Sequence, residues 1–239
     1  MHQLTNYMLS LQSNWFVNQP LLQAVNDSVP SIAKYKSKSG RESLEKTELR
    51  HMCKQIFPDI YRFPLLRRQY CAMLLDEIEL MRGRLMFETN DNEDELRQIP
   101  EIVLKDKCPE LYRQMWFLVR TVINPVIMSL YCRDNLEIAS VQIANYNPKD
   151  KQQGAWHHDD SADISVVVPL NTKKYEGGGT EFYSKGKMKP LPTGHALIFP
   201  SFSNLHRGLA VESGDRYLLV FWLVDRTRAV DLVSEVFQE

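Results

Sequence analysis

The stretch GAWHHDDSADISVVVPLN, Gly154 to Asn171, sets two histidines and two aspartates side by side, directly ahead of a β-branched run. Residues two apart on an extended chain point the same way. A His-x-Asp pair at the mouth of a strand therefore aims an imidazole and a carboxylate at one point. The stretch holds two such pairs in overlapping registers, His157 with Asp159 and His158 with Asp160. It reads either as a polar turn or as the front edge of a metal site, and the residues by themselves leave both pairs in play.

A metal site needs a third ligand from a neighbouring strand. Of the remaining histidines, His2, His51, His195 and His206, only His195 and His206 lie downstream in the strand-rich part of the chain. His195, in TGHALIF, shares one side of an alternating strand with Leu197 and Phe199 and reads as a histidine of the barrel wall. His206 precedes a glycine turn and a hydrophobic strand that opens with Arg216, ten residues on. A reverse turn between those two strands returns the arginine to the metal. Two imidazoles and one carboxylate leave three open positions on Fe(II), the ligand set of the non-haem iron oxygenases. The planar, permanently charged fork of Arg216 suits the far carboxylate of a keto-acid co-substrate.

The flanking sequence supports a strand-rich setting. EIASVQIANYN puts Ala139, Val141 and Ile143 on one face and Ser140, Gln142 and Tyr146 on the other. ADISVVVPLN, GGGTEFYS, GHALIFPS and DRYLLVFWLV are further short strands separated by Gly and Pro. The Gly177–Gly179 run, with no lysine and helix after it, reads as a tight turn and not a phosphate cradle. Upstream the period is helical. IYRFPLL gives a short strand, followed by a helix over Arg67–Arg84 with Tyr70, Leu74, Ile78 and Met81 on one face. A second helix carries Leu111, Met115, Leu118, Val122 and Val126, and Pro125 is expected to kink it or end it early. FETNDNEDELRQIP reads as an acidic loop, Lys34–Arg50 as a mobile linker and AVDLVSEVFQE as a last short helix. Helices first and strands after predict an α+β fold.

The 239 residues suit one domain with an added segment, divided here into an N-terminal arm or helical extension over 1–50 and a catalytic domain over 51–239. With 29 basic and 30 acidic side chains, nothing in the charge balance calls for nucleic acid or an anionic membrane. No apolar run reaches the length of a membrane span, and the start lacks the basic and apolar parts of a secretory signal. Cys53, Cys71, Cys108 and Cys132 are too scattered for a zinc-ligand pair or a Cys-x-x-Cys motif. These features together predict a cytoplasmic protein with reduced thiols.

Five stretches then resemble the 2-oxoglutarate- and iron-dependent dioxygenases, in particular the catalytic domain of the procollagen lysyl hydroxylases and their prolyl-4-hydroxylase-like relatives. They are FPDIYRFPLLRRQYCAMLLDEIE, VQIANYNP, HHDDSADISVVVPLN, YEGGGTEFY and HRGLAVESGDRYLLVFW, which together span roughly Phe57 to Val224. The resemblance implies a double-stranded β-helix, or jelly roll, braced by N-terminal helices. It implies Fe(II) and 2-oxoglutarate as cofactors, with ascorbate as an accompanying reductant and O2 as co-substrate. In such domains the ligand aspartate lies ten residues before a leucine that ends the next strand, and Asp160 to Leu170 has that spacing. On this count His158, Asp160 and His206 are the expected metal ligands, with His157 and Asp159 as the competing pair. Arg216 and Tyr146 are expected to hold the co-substrate. One departure is Val167, where relatives often carry an asparagine.

The implied activity is hydroxylation of a peptidyl side chain, lysine by the nearest resemblance, with release of succinate and CO2. The same chemistry on a free amino acid, a small metabolite or a nucleobase is the first alternative. A jelly roll that binds without turnover is the second. With no glycosyltransferase module in this sequence, a stand-alone catalytic unit outside collagen is expected, and the resemblance allows a homodimer.

Overall fold

The computed structural model of the chain describes residues 15–81, 87–88 and 99–225. The expected helix in AVDLVSEVFQE, the side chain of Met81 and most of the acidic loop lie outside the described residues.

The alternating segments pair as their pattern demands. EIASVQIANYN lies within β4 (Leu136–Tyr146) but for its last residue, and DRYLLVFWLV lies within β12 (Arg216–Asp225) but for its first. The two run antiparallel with Arg216 opposite Tyr146, Val220 opposite Gln142 and Phe221 opposite Val141. On the other side β12 pairs with β5 (Ile164–Pro169), which pairs in turn with β9 (His195–Pro200). Flanking strands β1 (Lys54–Phe57), β2 (Ile60–Pro64) and β3 (Glu101–Val103) complete a seven-stranded antiparallel sheet in the order β1-β2-β9-β5-β12-β4-β3.

Because side chains alternate across a sheet, this sheet has two distinct faces. Val141, Ile143, Val166, Ile198, Leu219 and Phe221 point to one, where they join Leu21, Val25, Leu49, Tyr70, Leu74, Val122 and Val126 from the helices in a single apolar cluster. Each such fully buried side chain contributes roughly 1.5–3 kcal/mol. The opposite face meets two small antiparallel sheets. One contains β7 (Thr180–Phe182), β8 (Gly186–Met188) and β10 (His206–Gly208), and the other contains β6 (Tyr175–Gly177) and β11 (Val211–Gly214). Phe182, Met188, Leu197 and Phe199 seal one end of the gap between sheets, and Tyr146, Tyr175, Val211 and Leu218 seal the other. Gly177, Gly178 and Gly179 all have positive φ and form the tight turn between β6 and β7.

Two expectations about the helical part change. Lys34–Arg50 is not a loop throughout. It holds helices Lys38–Glu45 and Glu48–Met52, each opened by a side-chain cap, Ser37 to the Gly40 N–H and Thr47 to the Arg50 N–H. A single buried leucine anchors each one, Leu44 and Leu49, and this outweighs the polar composition. Replacing Thr47 with alanine is expected to cost about 1 kcal/mol, read as a lower denaturant midpoint with an unchanged slope.

Nor does Pro125 stop the second helix. The chain passes from helix Pro109–Leu118 through a π-helical stretch Val119–Ile123 into helix Asn124–Tyr131. Its wider i→i+5 turn precedes Pro125, which sits in the first turn of the new helix, where its missing N–H costs nothing. No helix among the described residues is long and apolar enough to cross a membrane.

Candidate active site

Residue 157 and residue 206 form an isolated antiparallel bridge. The His157 N–H donates to the His206 carbonyl and the His206 N–H to the His157 carbonyl, each at 3.0 Å. Directly opposed residues of an antiparallel pair present their side chains on the same side. The two imidazoles therefore both turn into the gap between the sheets, with ring centroids 4.4 Å apart. Asp159, two residues on, follows His157 into the gap and lies 7% exposed. Its carboxylate is 3.4 Å from His157 Nε2 and 3.8 Å from His206 Nε2. Donor atoms of all three residues fall within 4.8 Å of one another.

The expected pair does not join this cluster. His158 faces the other side of its segment and packs its ring 6.0 Å from that of Phe202. Asp160 is exposed in the turn that follows Asp159. The count back from Leu170 misses by one position because the chain turns at Asp159–Ala162, where the Ala162 N–H bonds the Asp159 carbonyl. Asp163 then pairs with Leu223 before β5 begins.

Both imidazoles are oriented from behind. Nδ1 of His157 lies 2.9 Å from the Ala155 carbonyl, and Nδ1 of His206 lies 2.9 Å from the Asn204 carbonyl. A carbonyl only accepts, so each Nδ1 carries the proton and each Nε2 offers its lone pair to the gap. Burial pushes the His206 imidazole down to about 4, against the opposing pull of Asp159, so the ring is neutral near pH 7. Burial acts to raise Asp159, but His157, His206 and Ser165 together hold its carboxyl below the ordinary value. Ser165, fully buried on β5, donates to Asp159 Oδ2. Its hydroxyl in turn lies 2.8 Å from that of Ser201, which donates to it. This chain fixes the carboxylate's orientation. Sequence reading placed Ser165 in the strand but not behind Asp159; its signal is a serine in an otherwise apolar run. Replacing Ser165 with alanine is expected to weaken divalent-metal affinity by about 10- to 100-fold, measured by titration of Mn(II).

Arg216 and Tyr146 meet across the β12–β4 register on the same face. The guanidinium carbon lies 5.4 Å from the centre of the Tyr146 ring. Arg216 is 4% exposed, and its Nε and Nη1 have no hydrogen-bond partner among the described residues. Tyr146 is buried, which pushes its hydroxyl up to about 12 with Arg216 opposing, so it stays protonated and able to donate. Glycine closes this corner. A Cβ at Gly178 would stand 3.2 Å from Arg216 Cδ, and one at Gly208 would stand 3.2 Å from the Tyr146 ring. A cavity of about 70 Å³ joins the parts, lined by Gln142, Tyr146, His157, Asp159, His206, Arg216 and Trp222 among others. Val167 lines it too, at the position where the resemblance expected a polar contact. His195 lies outside it, half-buried beside Pro64 on β2, with its imidazole pushed down by burial and by Arg62 and Arg68.

An imidazole pair, a carboxylate and a buried guanidinium converge on one cavity in the gap between antiparallel sheets. The chain shares the fold of the 2-oxoglutarate/Fe(II) oxygenases, a jelly roll. The solved structure of an oxidoreductase of the 2OG-Fe(II) oxygenase family from Burkholderia pseudomallei superposes with a TM-score of 0.55 over 79% of this chain and 92% of its own, at 16% identity. By sequence the chain is a relative of the procollagen lysine hydroxylases. A Caenorhabditis elegans multifunctional procollagen lysine hydroxylase and glycosyltransferase is 28% identical over 188 residues, 74% of this chain and 25% of that protein. The human protein of the same description, LH3, is 32% identical over 174 residues, 68% of this chain and 23% of its own. The chain thus spans about a quarter of the length of the curated relatives it matches. No protein-family model matches it.

Proposed function

We propose that the chain is an Fe(II)- and 2-oxoglutarate-dependent hydroxylase of a peptidyl side chain, with lysine the favoured residue. The observation that carries this is Arg216. A guanidinium taken out of water with two of its nitrogens unpartnered is costly unless a ligand completes it. The group it fits is a carboxylate, bound as a fork to a fork. The cavity that receives that carboxylate also receives Nε2 of His157, Nε2 of His206 and the Asp159 carboxylate, a donor set suited to non-haem Fe(II). These residues fit the cofactors. His157, Asp159 and His206 would hold the metal, and Arg216 and Tyr146 the distal carboxylate of the keto acid.

Bound there, the ferrous ion supplies the redox chemistry with O2 and 2-oxoglutarate that ends in succinate, CO2 and a hydroxylated C–H. The chain's own contribution is placement. The Ala155 and Asn204 carbonyls keep both imidazoles in the ligating tautomer, and Ser165 keeps Asp159 turned inward. Arg216 and the Tyr146 hydroxyl would hold the far end of the co-substrate. Phe182 and Phe199, packed on the His206 ring at 5.8 and 4.8 Å, keep water from its back. In this reading residues 51–239 are the oxygenase unit, and the helices of the arm brace its main sheet through Leu21, Val25 and Leu49. Peptidyl lysine is favoured by the named activity of the sequence relatives.

The test is incubation of iron-loaded protein with 2-oxoglutarate, O2, ascorbate and a library of lysine-containing peptides, read by mass spectrometry. Succinate release with a gain of one oxygen on a lysine supports the reading. Absence of succinate with every peptide, from protein shown to bind iron, contradicts it.

A further inference from the structure

The active-site wall carries another buried polar atom without a partner among the described residues, of opposite character to those of Arg216. Gln142 on β4 is 5% exposed. Its side-chain Nε2 donates to a carboxylate oxygen of Glu101, which shares the cavity face from the adjoining strand β3. An ionised carboxylate only accepts hydrogen bonds, so this contact fixes which end of the amide faces which way. Oε1 is thereby left buried in the cavity wall with no hydrogen-bond partner among the described residues. The cavity thus has orphan donors at Arg216 and an orphan acceptor at Gln142.

The sheet register separates the two. Arg216 is opposite Tyr146 and Val220 is opposite Gln142, four residues along, or roughly 13 Å of strand. Trp222 lies opposite both Ser140 of β4 and Ser165 of β5, and Ser165 is the residue that holds Asp159. Gln142 therefore stands toward the end of the wall that carries the metal-side carboxylate, and a co-substrate whose carboxylates and keto oxygen only accept hydrogen bonds cannot complete its Oε1. A substrate group with a hydrogen to donate is what completes it. Trp222 and Ile99 line the same cavity and offer apolar surface to an aliphatic stem.

We propose that Gln142 is the specificity-determining residue that reads the amine of the side chain to be hydroxylated. Its Oε1 accepts a hydrogen bond from the ammonium, and the Glu101 carboxylate behind the amide strengthens that acceptor. The inference rests on the hydroxylase reading of the same site and adds to it the residue that selects a cationic over an apolar side chain.

The test uses Mn(II)-loaded protein without O2, so that binding is read without turnover. Two short peptides differing only in a central lysine or norleucine are titrated in the presence of 2-oxoglutarate, against the wild type, Gln142→Met and Gln142→Lys. Wild type is expected to prefer lysine by at least about tenfold, the discrimination given by one hydrogen bond to a charged group. Gln142→Met should bind both peptides alike. Gln142→Lys, whose own ammonium pairs with Glu101, should reverse the preference and keeps the test informative if the methionine variant fails to fold. In all three, Mn(II) and 2-oxoglutarate affinity should be unchanged. Equal binding of the two peptides by wild type, or lysine preference retained in either variant, overturns the inference. Loss of 2-oxoglutarate binding by the wild type itself would instead count against the hydroxylase reading.

Discussion

Asp159→Ala will lose metal binding and succinate formation by at least about 100-fold, while Asp160→Ala will keep both near the wild-type level. The lower bound follows because loss of a residue that merely orients a ligand already costs 10- to 100-fold, and Asp159 is the carboxylate on which both Nε2 atoms converge. His157→Ala and His158→Ala should divide in the same way. The prediction is sharp because the two pairs are adjacent and chemically identical. Composition, local charge and position in the chain are matched within each comparison, and only the side of the backbone differs. Metal affinity by calorimetry and succinate by mass spectrometry read the two effects separately. A loss confined to the residue 158 and 160 variants would show that the bridge between His157 and His206 is not the pairing in the active protein.

Arg216→Met will bind 2-oxoglutarate about 30- to 5,000-fold more weakly, the equivalent of the 2–5 kcal/mol lost when one member of a buried, hydrogen-bonded charge pair is removed. In the absence of co-substrate the same substitution should raise stability by about 1–3 kcal/mol, because the wild-type side chain carries buried donors with no partner among the described residues. The Tyr146 ring beneath the guanidinium offsets part of that cost, so the gain should fall in the lower half of the range. Weaker binding together with higher thermal stability is the signature of a side chain kept for a ligand. A purely structural arginine would lose stability on replacement and leave co-substrate affinity alone.

Much of the architecture is legible in the sequence because the determining signals are local. In β4, Val141 and Ile143 alternate with Ser140 and Gln142, whereas β12 is apolar on both faces. The β4 pattern fixes which of its faces meets the helices and that Tyr146 lies on the other, and the register with β12 then brings Arg216 to the same side. The choice between His157 and His158 is not local. It is made by two backbone hydrogen bonds to residue 206, far along the chain, and a shift of one residue exchanges every side chain between faces. A spacing rule counted from Leu170 assumes a fixed turn length, and the turn at Asp159–Ala162 followed by the pairing of Asp163 breaks that assumption. The arm shows the opposite case. Ser37 and Thr47 are local helix-start signals, and the charged, serine-rich composition around them hides their caps.

The most direct test of the account is a crystal structure of the protein with Mn(II) and 2-oxoglutarate, the metal located by its anomalous scattering. The account predicts one ion within bonding distance of Nε2 of His157, Nε2 of His206 and the Asp159 carboxylate, with the far end of the keto acid against Arg216. An ion on His158 or Asp160, or a keto acid whose distal carboxylate lies away from the guanidinium, would contradict it.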